Sequence, residues 1–309
     1  LKQEPSKFCG LGRERMQKGC KLLLLLGLLP GLTGCLSHTR SVLKARQPDV
    51  VLNATADQLI QQMNARYDAV HSLTATVDIA VSVGGANKGK VTEYTSVRGY
   101  ILTRKPEMLH VIGLLPVVRT TAFDMVSDGS TFKLLVPPKN KAIEGNNTIN
   151  KPSKNALENL RPDVFLDSLL IKSVQPGELV ALTSDMRTVK KDEKKQEEIQ
   201  EPDYTLSVFR RRENSQELVP VRLIHISRVN LMPYEQDIYD NAGKVVTRAV
   251  YGTYTSYGDI QFPSTITIIR PQDEYTLTLT VLKLVVNQSL GDDQFALKIP
   301  DGTKVQKLQ

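Results

Sequence analysis

The chain has 309 residues, 40% of them hydrophobic, and a formal charge of +7. That length supports one sizeable core, because β-rich domains of more than about 200 residues fold as single units. Residues 1–34 hold six basic and two acidic side chains, so the rest of the chain keeps an excess of only +3, too small for the concentrated basic face that nucleic-acid binding needs.

Reading from the start, Lys18 and Lys21 precede an apolar run over residues 22–32, which closes on Leu32-Thr33-Gly34-Cys35. A basic start, an apolar middle and small residues make the pattern of a secretory signal. The run is too short for a transmembrane helix, which needs about 20 apolar residues. It also lacks the polar face of a buried amphipathic helix. With a cysteine directly after the small pair, the segment resembles the bacterial lipoprotein signal, whose lipobox reads Leu, small residue, Gly or Ala, Cys. That resemblance implies a diacylglycerol on the Cys35 thiol, cleavage just before it, and a further acyl chain, typically palmitate, on the new N-terminus. Two or more acyl chains anchor stably to a bilayer. Leu36 and Ser37 do not include the aspartate that retains many such proteins in the inner membrane, which points to the outer membrane, facing the periplasm. Residues 16–21 would serve alone as the basic segment, so Met16 is the expected start and residues 1–15 an upstream extension. Processing would remove Cys9 and Cys20, leaving no partner for a disulfide and no cysteine metal site.

Residues 35–52 are polar and basic without clear periodicity and read as a tether. Thr55 and Gln58 form a capping box. Ala56, Leu59, Ile60, Met63, Tyr67 and Val70 then fall on one helical face. The period changes at Leu73, where Leu73, Ala75, Val77, Ile79, Val81 and Val83 alternate with more polar residues, the mark of a long strand with one apolar face. Strand signals recur over 91–104, 108–115, 120–126, 131–136 and 141–145, with Asp128-Gly129 as a hairpin turn. Residues 155–171 interrupt them with two short helices, Pro162 opening the second. A short strand over 179–183 follows. Residues 186–203 are dense in charge with no apolar pattern and read as a solvated hairpin extension or loop. The last third is a meander with strands over 204–210, 219–229, 234–239, 244–254, 262–269 and 275–286, and a short element over 295–299. The order of elements argues α+β with an antiparallel sheet of about eleven strands.

From Thr55 to Gly302 the chain resembles the LolA/LolB superfamily of lipoprotein carriers and receptors. The resemblance lies in the opening helix followed by Leu73-Thr74-Ala75-Thr76-Val77, in Gly99-Tyr100-Ile101 followed by Lys105-Pro106-Glu107-Met108-Leu109, in Asp128-Gly129-Ser130-Thr131-Phe132, and in the closing pieces Gly258-Asp259-Ile260-Gln261-Phe262-Pro263 and Phe295-Ala296-Leu297-Lys298-Ile299-Pro300. It implies a strongly curved, unclosed antiparallel β-barrel over residues 53–309, capped by a few short helices around an apolar cavity for acyl chains. Leu73, Val77, Ile79, Val81 and Val83 become candidate lining residues, although each could equally pack as ordinary core. Two features depart from the soluble carriers of that family: the chain has no Trp and only 6% aromatic residues. An anchor at Cys35 suits the receptor branch instead. The run Ile112-Gly113-Leu114-Leu115-Pro116-Val117-Val118 is apolar at consecutive positions, and Gly113 and Pro116 would break regular pairing there. Leu114 and Leu115 are therefore either part of a turn that folds its leucines back into the core or candidates for a loop that contacts a membrane, as the resemblance to the receptor branch implies.

Chemistry for catalysis is not visible. The four histidines have no metal-ligand spacing, and there is no nucleophile elbow, P-loop or dinucleotide fingerprint. No cofactor, no metal and no enzyme activity are expected. The sequence reads as an anchored protein that shields acyl chains of a lipid or lipoprotein and passes them to a membrane, with a periplasmic carrier as a further partner. The competing reading is an envelope structural or stress-signalling lipoprotein that uses the same scaffold to bind a protein.

Overall fold

The computed structural model describes residues 48–147, 161–192 and 197–308. The lipobox with Cys35, most of the tether and the first of the two expected mid-chain helices lie outside the described residues.

Helix α1 (Ala56–Asp68) opens on the expected capping box: the Gln58 N–H donates to Thr55 Oγ1, and Thr55 N–H donates back to Gln58 Oε1. Its apolar stripe buries Leu59 and Met63. Six strands follow, β1 (Ser72–Gly85), β2 (Lys90–Arg104), β3 (Met108–Leu114), β4 (Thr121–Ser127), β5 (Thr131–Val136) and β6 (Lys141–Asn146). Helix α2 (Pro162–Leu169) begins at Pro162, whose fixed φ suits a first helical position. Then come β7 (Leu179–Asp192), β8 (Glu197–Arg211), β9 (Leu218–Ser227), β10 (Pro233–Tyr239), β11 (Val245–Tyr251), β12 (Tyr254–Tyr257), β13 (Ile260–Pro263), β14 (Thr265–Arg270), β15 (Tyr275–Val286) and β16 (Lys304–Lys307).

The described residues therefore hold sixteen strands and two α-helices, a mostly-β protein rather than the α+β chain of about eleven strands expected. Two differences have clear causes. Each apolar run of the meander near residues 251–265 is split, Gly252 separating β11 from β12 and Ser264 separating β13 from β14. The described charged residues at 186–192 and 197–203 take the hairpin-extension alternative, as the outer part of β7 and β8. Across the ladder Arg187 pairs in register with Glu201, and Arg187 Nε donates to Glu201 Oε2 at 3.0 Å. Opposed cross-strand charges stabilise a sheet where apolar alternation is missing.

Fourteen strands form one sheet in the order β7-β8-β9-β10-β11-β14-β15-β1-β2-β3-β4-β5-β6-β16, and β12 and β13 pair separately. Every neighbour is antiparallel except β16, which runs parallel to β6. The edges β7 and β16 do not pair, so the sheet is not closed. Its curvature follows from α2. Eight residues of helix span about 12 Å. Yet Arg161, just before α2, stacks its guanidinium on the Phe132 ring of β5 at 5.4 Å, and Gln236 of β10 donates to the Asp167 carbonyl at 3.0 Å. β5 and β10 stand eight strands apart in the sheet, about 38 Å at roughly 4.8 Å per strand if the sheet were flat. Only a strongly curved sheet brings both to one short helix.

The outer face of this half carries a C-terminal strap. Along β3, Leu109 and Val111 point into the core, so His110 between them points outward. The chain leaves β15 with Asn287 N–H donating to the Ser72 carbonyl at 2.8 Å. It passes β2, where Arg104 donates to the Leu290 carbonyl at 2.7 Å and lies over the Phe295 ring. It then meets His110 of β3, whose Nδ1–H donates to the Gln294 carbonyl, and ends on β6 as β16. Leu290 and Phe295 are buried beneath it.

Candidate functional site: a cavity at the seam of two cores

The inner face of the sheet packs as two clusters. Beneath α2 lies a large one, in which Val164, Phe165 and Leu169 meet Leu73, Val77 and Ile79 of β1 and their neighbours on β2–β5, β14 and β15. Beneath α1 lies a small one, Leu59 and Met63 against Tyr204, Leu206, Ile224 and Ile226. Where the two meet, packing is incomplete and leaves a cavity of about 330 Å³. Helix α1 and its C-terminal turn supply one wall with Met63, Arg66, Tyr67 and Val70. Leu169, Leu170 and Ile171 supply the next as the chain leaves α2. The β12–β13 hairpin, which belongs to no other sheet, covers the space with Tyr254, Ile260 and Phe262, and Tyr251 of β11 lies beside it.

None of the five candidate lining residues lies on this wall. Leu73 and Val77 are 0% exposed and Ile79 is 1% exposed, all within the α2 cluster, and Val81 and Val83 are half-buried against it. The alternation of β1 marks a face to be covered, and α2 with the strands opposite covers it fully. The other candidates also shift. Leu114 ends β3 and Leu115 follows it, both half-buried, whereas Val117 is 97% and Val118 65% exposed. The tip folds by Leu115 N–H bonding to the Thr120 carbonyl and Arg119 N–H to that of Leu115. Val117 sits at φ +67°, a strained region for a β-branched residue. Gly113 does not break the pairing as expected. It stands opposite Gly99 and Phe123, an added Cβ would meet the Phe123 ring at 2.2 Å, and the irregularity falls just after it, where the β3–β4 register shifts between Gly113 and Leu114.

The mouth of the cavity carries unlike charges. Arg66 of α1 sits on one lip and Asp259, in the β12–β13 turn, on the other. Burial among the walls lowers the Arg66 pKa, with the Tyr254 phenol as the opposing influence and no carboxylate among the causes. Burial likewise raises Tyr254 and, more strongly, Tyr251, whose hydroxyl is sealed with no hydrogen-bond partner. Sequence reasoning missed these residues because they are not periodic. The only signal was tyrosine at 251, 254 and 257 next to Gly252 and Gly258.

Elsewhere, polar groups are tied down structurally. His225, Glu235 and Asp237 bring donor atoms within 4.8 Å of one another on the outer face. Arg248 clasps both oxygens of Asp237 at 2.7 Å and reaches Glu235 at 3.2 Å, so the Asp237 carboxylate is already paired and the Glu235 charge is shared with the same guanidinium. Buried Arg222 pairs with buried Glu178 at 3.2 Å and pins the chain between α2 and β7 to β9. Burial works to lower the His110 pKa, but the hydrogen bond to Asp124 at 2.7 Å, the Gln294 carbonyl and the Asp124 charge outweigh it and raise the value.

No family model matches the sequence, and no curated protein matches it. Solved structures do. A DUF1329 family protein from Desulfovibrio piger superposes with a TM-score of 0.51 at 13% identity, over 77% of this chain and 94% of that one. A LolA superfamily protein from Nitrosomonas europaea gives 0.47 at 14% identity, covering 79% and 99%. A putative outer membrane lipoprotein-sorting protein domain from Vibrio parahaemolyticus gives 0.44 at 13%, covering 77% and 94%. At these identities the likeness is one of fold alone: the unclosed antiparallel sheet with its covering helices is similar in architecture to the DUF1329 family protein.

Proposed function

We propose that this protein is a lipid-anchored carrier of the bacterial envelope that shelters an acyl chain in the cavity beneath α1 and hands it to a membrane. One observation carries the reading: an apolar cavity of about 330 Å³ covered by a two-stranded hairpin that is not part of the main sheet. The volume lies at the lower end of ligand pockets, which span about 300–1,000 Å³. It suits one acyl chain of a lipid or lipoprotein rather than three at once. The lipobox at 32–35 supports an anchor on Cys35, and the envelope is then the working compartment. The Val117–Val118 tip, not Leu114 and Leu115, is the segment suited to dip into a bilayer, each buried aliphatic side chain contributing about 1.5–3 kcal/mol.

The test is binding of a fluorescent single-chain lipid to the full chain, followed by its release to vesicles. Saturable binding with transfer supports the reading; absence of binding sinks it. Cys35→Ala is expected to prevent lipidation, and membrane-extracted protein that keeps residues 22–32 would overturn the anchor.

A second reading has its own observation. β3 ends opposite Arg98, so residues 90–97 of β2 pair with β1 alone and present an open strand edge beside exposed Val91 and Tyr94. Such an edge can accept an extended peptide as an added strand. This favours protein-partner binding, and a pull-down with Tyr94→Pro as the control separates the two readings.

A further inference from the structure

We propose that the cavity selects a single-chain phospholipid with a zwitterionic headgroup, Arg66 receiving the phosphate and Asp259 the ammonium. The inference rests on the acyl-chain reading of the cavity and adds the chemistry of the head.

Three observations meet at the mouth. The walls behind it are apolar, with Met63, Val70, Leu170 and Phe262, which suits a hydrocarbon chain. One lip holds a guanidinium on the last turn of α1, and the other a carboxylate at the tip of the β12–β13 hairpin. The two do not pair with each other, and neither makes a salt bridge with any described residue. That is unlike two other arginines that reach toward the interior among the described residues: Arg222 has Glu178 and Arg270 has Asp273. An arginine that lines an apolar cavity without a counter-ion offers its charge to an incoming anion. A phosphate is the natural partner, because the planar guanidinium fork binds its oxygens in pairs. A purely anionic head would satisfy Arg66 but place a second negative charge near Asp259. A head with a phosphate and an ammonium a few atoms apart satisfies both lips. Tyr254, beside Arg66, adds an aromatic face of the kind that favours cations.

The test uses the full chain and a neutral fluorescent monoacylglycerol as the displaced probe. Competitors share one chain length: a lysophosphatidylethanolamine, a lysophosphatidylglycerol, a fatty acid and a neutral monoacylglycerol. The ethanolamine lipid is expected to displace the probe at about a tenfold lower concentration than the phosphoglycerol lipid, and further below the neutral one. Arg66→Gln should weaken both phospholipids about tenfold and leave the neutral competitor unchanged, and Arg66→Lys should restore part of the loss. Asp259→Asn should erase the difference between the two phospholipids. Both positions are exposed, so the variants are expected to fold, and an unchanged thermal midpoint checks this. Ala65→Trp, which fills the mouth from α1, distinguishes the two ways of failing. If wild type does not bind the probe, or Ala65→Trp does not block it, the cavity reading falls and the headgroup falls with it. If the probe binds and is blocked but all competitors rank equally, or the ranking survives both Arg66→Gln and Asp259→Asn, the headgroup assignment alone is overturned.

Discussion

The half of the sheet around α2 and the half around α1 are built from the same alternating strands, yet only one of them is full. Around α2 the strands curl over a helix whose buried face is Val164, Phe165 and Leu169, and the strap closes the outside. Around α1 the helix rests on only four large side chains of β8 and β9, and the margin toward β11 is finished by a separate hairpin. Alternation within a strand thus specifies that a face will be covered. Whether the cover fits to native density or leaves a void depends on the covering element, and interiors are normally filled.

The sharpest way to break this comparison is to cut both halves alike. Phe165→Ala, in the filled half, is expected to cost about 3–5 kcal/mol in urea unfolding. Met63→Ala, on the cavity wall in the α1 half, should cost less, about 2 kcal/mol, because it enlarges a space that already exists. Equal losses would mean that the two halves are packed alike. Next in size is Ala65→Trp, expected to lower single-chain lipid affinity at least tenfold, about 1.4 kcal/mol, while leaving the thermal midpoint within a few degrees. A third probe lies at the β3–β4 tip of the filled half. Val117→Asn relieves a β-branched residue at φ +67° and should raise stability by about 1 kcal/mol while slowing transfer to vesicles. Faster or unchanged transfer would remove the tip from membrane docking. The smallest effect is expected at His110. Its folded pKa is raised, so its contribution is fully present below the unfolded value of about 6.5 and is lost as pH rises through the folded value. Urea midpoints should therefore fall modestly between pH 6 and pH 8.5, and His110→Gln should flatten that fall.

Much of the fold was legible in the residues. The capping box at Thr55 and Gln58, the alternation from Leu73, the Asp128-Gly129 turn and the proline start of α2 all sit where local chemistry puts them. At Asp128 the side chain takes the Thr131 and Ser130 N–H groups at 2.7 and 2.8 Å, which holds its carboxyl below the usual range. The strand count was not legible, since the outer parts of β7 and β8 are polar and charged, with Arg187 opposite Glu201, and lack apolar alternation. The site was not legible either. Arg66 belongs to the polar side of an amphipathic helix, and Asp259 to a turn; only the tertiary fold places both at one opening. The apolar run at 112–118 contains an exposed tip, but its exposed side chains are Val117 and Val118 while Leu114 and Leu115 are half-buried, because the register shifts after Gly113 and the chain turns after Leu115.

The strap has a mechanical consequence. It is stitched to β1, β2, β3 and β6 in turn, so the arc formed by those strands cannot flatten without tearing contacts at several rungs together. The strands from β7 to β11 wear no such belt among the described residues, and the β12–β13 hairpin is hydrogen-bonded into the large sheet nowhere along its length, resting on the core by Tyr254, Ile260 and buried Phe262. Whatever widens the opening for a bulkier guest must therefore swing on that side, as a door swings against a fixed jamb. Amide exchange should accordingly be slow in β1–β3 with and without lipid, and should respond to lipid in α1, β12 and β13.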